Sequence, residues 1–182
     1  VEKDLPTRSI VHGAFRREAL EIAQIHAARE LLSNWKGGAT IHADEATMQQ
    51  ESNVALAVAL ANKTLVLGVR RVTTHYAKEQ IDTLDQIFSE LQSAGRAMGW
   101  DKENEAAFEY ALSPTTLTTC MGDRAAGQGV FNRDIIGRKV AFKNWEGLLS
   151  SRDLPGPEKE KVEFLKVCDA YTCVVHKGCN FE

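Results

Sequence analysis

The sequence predicts a mixed α/β (α+β) fold in which an antiparallel three-strand meander gains a parallel strand and is flanked by helices. Three observations predict it. Between residues 39 and 73 lie three short runs rich in aliphatic and β-branched residues, separated by turn signals. Residues 74–98 then form an amphipathic stretch long enough to act as a right-handed crossover to a parallel neighbour. A fourth strand-like run follows at 115–122, and after it a second helical stretch.

Taken in order, residues 1–6 are polar, and Arg8 to Asn34 is rich in Ala, Glu, Leu, Arg and Gln with no proline. Phe15, Ala19, Ile22, Ala23, Ile25, Ala27, Leu31 and Leu32 give that stretch a broad apolar face. It is expected as one core-packed helix, with a break near His12-Gly13 as the alternative, and Gly37-Gly38 mark its exit. Three strands are expected at Ala39–Asp44, Asn53–Leu60 and Thr64–Thr73, the last two joined through a turn at Ala61-Asn62-Lys63. The middle run has enough alanine to be helical, but a run this short between two turn signals suits a strand better. Ile81, Leu84, Ile87, Phe88, Leu91 and Met98 then fall on one helical stripe that Gly99 ends. A short helix at Lys102–Ala111 precedes a buried strand at Thr115–Gly122. The next helix begins near Arg124 and runs past Phe131, Ile135 and Ile136. Lys139–Trp145 is a candidate further strand, Leu154-Pro155-Gly156-Pro157 a linker, and Glu158–Val167 a charged helix. The chain divides accordingly into an N-terminal helical segment (1–38), a central α/β core (39–152) and a charged, Cys/His-bearing tail (153–182).

At 182 residues, with 43% hydrophobic and 26% charged side chains, the composition is that of a soluble globular chain of one domain, or one domain and an appendage. No run approaches the roughly 18 apolar residues of a membrane span, and Val1-Glu2-Lys3-Asp4 does not open a signal peptide. The four cysteines, three of them between Cys168 and Cys179, do not form a spread disulfide framework, which points to an intracellular, reducing setting. A formal net charge of −3 counts against a free-standing nucleic-acid binder, because phosphate neutralisation supplies most of that affinity. With no initiator Met and an end at Asn180-Phe181-Glu182, the sequence reads as a fragment. It has no phosphate loop, nucleophile elbow or dinucleotide fingerprint.

Two of the strand runs end on a carboxylate, Asp44 and Asp123. If the crossover sets 115–122 beside 39–44, the two aspartates become neighbours, the topology of the RNase H-like fold. Two carboxylates held that close repel unless a cation intervenes. Mg²⁺ or Mn²⁺ removes the repulsion and supplies the chemistry of a two-metal phosphoryl-transfer site. On order and spacing alone, the plain alternative of two strand-end turn residues stands equally. His42 shares the Asp44 face and Glu45 takes the opposite one. Arg124 is placed either to touch a phosphate or to pair with a carboxylate.

His42-Ala43-Asp44-Glu45-Ala46-Thr47 resembles the first catalytic strand of eukaryotic cut-and-paste DDE transposases. Cys120-Met121-Gly122-Asp123-Arg124-Ala125-Ala126, with Phe131-Asn132 following, resembles their second aspartate motif, with Gly122 where Ser is commoner. Leu67-Gly68-Val69, a Thr-rich turn and a long helix lie between. Tyr171-Thr172-Cys173-Val174-Val175-His176-Lys177 is similar to the Cys-x-x-His motif of hAT-type and related transposases. The resemblance implies an RNase H-like fold and metal-dependent cleavage and strand transfer at transposon ends. It also implies DNA as partner, a homo-oligomer when full length, and a nuclear setting. Asp44 and Asp123 would be catalytic and metal-binding. The family's third acid lies beyond the Cys-x-x-His motif, and so after the end of this chain. Glu158, at an Asp-to-Glu spacing near that of integrases and at a helix start, is the competitor within it.

Cys168, Cys173, His176 and Cys179 put four soft ligands in one short segment, a set that Zn²⁺ takes tetrahedrally. Their spacing matches neither a zinc knuckle nor a two-strand ribbon, so structural support is the first reading and Zn²⁺ the second. A domesticated, non-catalytic binding module of the same fold and an unrelated zinc-binding α/β domain are the rival functions.

Overall fold

The computed structural model describes residues 8–48, 51–73, 77–122, 126–145, 148 and 168–172. At 8–12, 45–48, 51, 122, 126–128 and 169–172 it describes the backbone alone. The elements run α1 (Arg8–Asn34), β1 (Ala39–Met48), β2 (Glu51–Ala59), β3 (Thr64–Val72), α2 (Ala77–Ala97), α3 (Glu105–Ala111), β4 (Leu117–Gly122), α4 (Ala126–Ala141) and β5 (Asp169–Thr172). Short 3₁₀ turns stand at Trp35–Gly37, Trp100–Lys102 and Pro114–Thr116. The five described strands form one sheet in the order β3-β2-β1-β4-β5. β1, β2 and β3 are mutually antiparallel, while β4 pairs parallel to β1 and β5 parallel to β4. This is the mixed α/β sheet expected of an RNase H-like fold: a meander, a helical crossover through α2, then parallel strands.

Alternation along the strands fixes which face is covered. Ile41, Val54, Leu56, Val58, Leu65, Leu67 and Cys120 are buried against Ala28 and Leu31 of α1, Leu84, Phe88 and Leu91 of α2, and Phe131 and Ile135 of α4. The register sets Val66, Ala57, His42 and Met121 side by side on the opposite face. Val66 there is 69% exposed, while His42, Ala57 and Met121 are half-buried. An extra residue at Leu67 shifts the β2–β3 register between Leu56 and Ala57. Gly38 (φ 73°) and Gly99 (φ 75°) take the left-handed backbone that lets the chain leave its helices at both ends of the meander–crossover unit.

Ion pairs tie the layers together. Glu90 of α2 accepts from Arg70 Nη2 of β3 at 2.7 Å and from Gln24 Nε2 of α1 at 2.5 Å. Arg138 of α4 pairs with Asp85 of α2 and with Asp134. A second cluster gathers Trp35, Ala107, Tyr110, Ala111 and Leu148, with Phe142 and Trp145 packed on the buried Tyr110 ring at 5.7 and 5.5 Å between centroids.

Several expectations are corrected. No strand forms over Lys139–Trp145: α4 continues to Ala141, and Phe142 and Trp145 turn onto Tyr110. α1 is a single helix, yet only its C-terminal end is core-packed, and Phe15 and Ile22 are 68% and 67% exposed. The helix expected at Lys102–Ala111 is a 3₁₀ turn followed by α3. β5 is an addition to the strands expected from the sequence. The linker at 154–157 and the helix at Glu158–Val167 lie outside the described residues.

Candidate functional site

β1 and β4 are the neighbouring parallel strands on which the aspartate pairing depends. Their register sets Ala39 beside Leu117, then Thr40 beside Thr119, Ile41 beside Cys120 and His42 beside Met121. The shift between the first two pairs leaves Thr118 as an extra residue. Its hydroxyl takes the place of the missing backbone partner: it accepts from Ala39 N at 3.2 Å and donates to Ala39 O at 3.3 Å. Both groups are buried, so these bonds lock the one-residue step that determines which β4 residue faces His42.

Asp44 lies two residues past His42 on the same outer face, beside Ala55 of β2, with its side chain exposed. His42 is half-buried. β4 ends at Gly122, the residue before Asp123. Asp123, Arg124, Glu158, Cys173, His176 and Cys179 lie outside the described residues. The structure thus brings together the strands that carry or lead into the two aspartates, but β1 does not end on Asp44 as expected: its pairing with β2 carries it on to Met48, and the Asp44 carboxylate stands within the strand, two residues beyond the last β1–β4 pair. A lone exposed carboxylate is a hard oxygen donor of the kind Mg²⁺ or Mn²⁺ takes, but octahedral coordination needs more oxygens than one side chain supplies. Among the described residues no group of three His, Cys, Asp or Glu side chains is placed to hold a metal.

Beneath the site, β4 is held by groups that the sequence patterns do not single out. Lys139 of α4 is only 1% exposed, and its Nζ donates to Leu117 O at 2.6 Å, the first carbonyl of β4, while standing 5.8 Å from the Tyr110 ring centroid. Burial lowers the ammonium pKa to about 8, with the nearby Cys168 and Cys120 pulling it back upward. Cys120 of β4 and Cys168, the residue before β5, are buried thiols with their sulfurs 3.6 Å apart. The hydrogen bond with Cys168, together with burial, pushes the Cys120 thiol far above its ordinary range, and Lys139 works against that rise. One signal for Lys139 is present in the sequence: Phe131, Ile135 and Lys139 are spaced by four and share one helical face.

No helix among the described residues is long and apolar enough to cross a membrane. No protein-family model matches the chain, and no curated protein matches it by sequence.

Proposed function

We propose that the chain forms the RNase H-like catalytic core of a DNA-transposase-like polynucleotidyl transferase, in which Asp44 and Asp123 hold Mg²⁺ or Mn²⁺ for phosphodiester cleavage and strand transfer. The observation that supports this reading is the parallel pairing of β1 with β4 across the α2 crossover, with Asp44 exposed two residues beyond the last β1–β4 pair. That topology sets the strand that carries Asp44 beside the strand that leads into Asp123, which supports a shared site of the kind that divalent-metal phosphoryl transfer uses. The metal, when bound, supplies an activated hydroxyl and stabilises the leaving oxygen. The chain's own part is to fix the carboxylates: Thr118 sets the β1–β4 step and Lys139 anchors the start of β4. A third carboxylate completes such a site, and Glu158 is the candidate within these 182 residues. At a net charge of −3 the chain has little electrostatic attraction for duplex DNA, so substrate capture falls to basic surfaces outside it.

The test is Mn²⁺ binding followed by electron paramagnetic resonance on the 182-residue chain. Binding is expected to be weak, and Asp44→Asn and Asp123→Asn should each remove it. Binding that both variants retain would place the metal elsewhere. A folded chain that binds no Mn²⁺ would favour the non-catalytic module.

A further inference from the structure

Cys120, Cys168 and Lys139 form a cluster for which the proposed chemistry has no use. Cys120 lies on β4, in register with Ala170 of the parallel neighbour β5, and Cys168 immediately precedes β5. Their sulfurs are 3.6 Å apart with no residue between them, and both side chains are buried. A disulfide has an S–S distance of about 2.05 Å, so a rotamer adjustment with a small strand shift closes the gap. Lys139 donates to Leu117 O at the start of the same strand and offsets only part of the rise that the Cys168 hydrogen bond and burial impose on the Cys120 thiol.

We propose that Cys120 and Cys168 are a thiol pair that a peroxide oxidant converts to a disulfide, stapling β4 to β5. One thiolate attacks the peroxide O–O bond, giving a sulfenic acid and releasing hydroxide, which takes up a proton to become water. The second sulfur then displaces hydroxide from the sulfenic sulfur, and a second water leaves. Two thiols lose two protons and two electrons in total, and one peroxide becomes two waters. Burial makes the reaction slow, because the strand pair must open transiently to admit the oxidant. It also selects a small oxidant over a bulky disulfide. Closing the loop between the two positions constrains the unfolded chain and raises the melting midpoint by about 10 °C. The staple would sit two residues from the end of β4, so it fixes the strand that leads into Asp123. The staple depends on the two thiols alone and does not require the metal-dependent reading.

The experiment treats the reduced 182-residue chain with hydrogen peroxide, quenches it, and maps peptides without reduction. The expected product is a single linked peptide pair joining Cys120 to Cys168, two mass units lighter than the sum of the free peptides. A rise in melting midpoint that dithiothreitol reverses should accompany it, and Cys168→Ser should abolish both the linked pair and the rise. Linkage of either cysteine to Cys173 or Cys179 instead, or stepwise oxidation of Cys120 and Cys168 without linkage, would overturn the proposal. Because the mapping is done on the unmutated chain, it decides the matter even where a variant fails to fold.

Discussion

Replacing Lys139 by Met should change how stability depends on pH. The ammonium is 1% exposed and its pKa is lowered to about 8 from an ordinary 10.5, with burial as the leading cause. Below pH 8 the lysine is charged in both the folded and unfolded states, and the full cost of burying the charge weighs on the fold. Between pH 8 and 10.5 the folded state sheds its proton while the unfolded state keeps it, so stability rises with pH. The whole window is worth about 3 kcal/mol, and the part between pH 7 and 9.5 about 2 kcal/mol. Cys120 works in the opposite direction, because its thiol stays protonated in the fold at a pH where the unfolded thiol ionises. The lysine contribution is therefore read from the difference between wild type and Lys139→Met, by urea unfolding at pH 7.0, 8.0, 9.0 and 9.5. At pH 7 the Met variant should lie within about 1 kcal/mol of wild type, since losing the bond to Leu117 O is offset by removal of a buried charge. Wild type should then gain about 2 kcal/mol on the variant by pH 9.5. Curves that stay parallel across this range would show that Lys139 is not a buried, depressed ammonium.

Two further substitutions test the local architecture. Thr118→Val keeps the shape but removes both hydrogen bonds to Ala39 and leaves the buried Ala39 N–H without an acceptor, so equilibrium unfolding should show a loss of about 2 kcal/mol. A loss below about 0.5 kcal/mol would mean that the hydroxyl does not hold the register step. Asn104→Ala removes the side-chain cap that accepts from Ala107 N at 3.0 Å and should cost about 1 kcal/mol by the same measurement, with Asn104→Asp close to neutral.

The meander and its parallel neighbour are legible in the sequence because they rest on local signals. Ala61-Asn62-Lys63 marks a turn, and the stripe from Ile81 to Leu91 is long enough for the crossover that makes β4 parallel to β1. Val140, Phe142 and Trp145 mislead because β-formers close together suggest a strand. The period-four face of Phe131, Ile135 and Lys139 instead carries the helix to Ala141, and the aromatic residues beyond it find a distant partner in Tyr110. β5 has only four residues and its pairing with β4 is non-local, so nothing near Asp169 announces it. By spacing Cys168 belongs to a local Cys/His set, whereas its sulfur packs against Cys120, far away in sequence. Phe15 and Ile22 have the spacing of a buried face, but periodicity states only that a face exists, not that the chain itself covers it. At the candidate site, Asp44 and the strand adjacency can be read from the sequence. The Thr118 step depends on a tertiary contact that no spacing encodes, and for Lys139 the spacing by four gives the buried face but not its bond to Leu117 O.

The central claim is that Asp44, just beyond the last β1–β4 pair, and Asp123, which follows β4, form one divalent-cation site. Mn²⁺ titration followed by amide NMR tests it most directly, because the ion broadens only resonances close to where it binds. The account predicts that Ala43, Asp44 and Met121 broaden first and together, that Thr64 and Leu65 on the far strand stay sharp, and that Asp44→Asn removes the effect throughout. Broadening centred on another part of the molecule, or unchanged in Asp44→Asn, would contradict it.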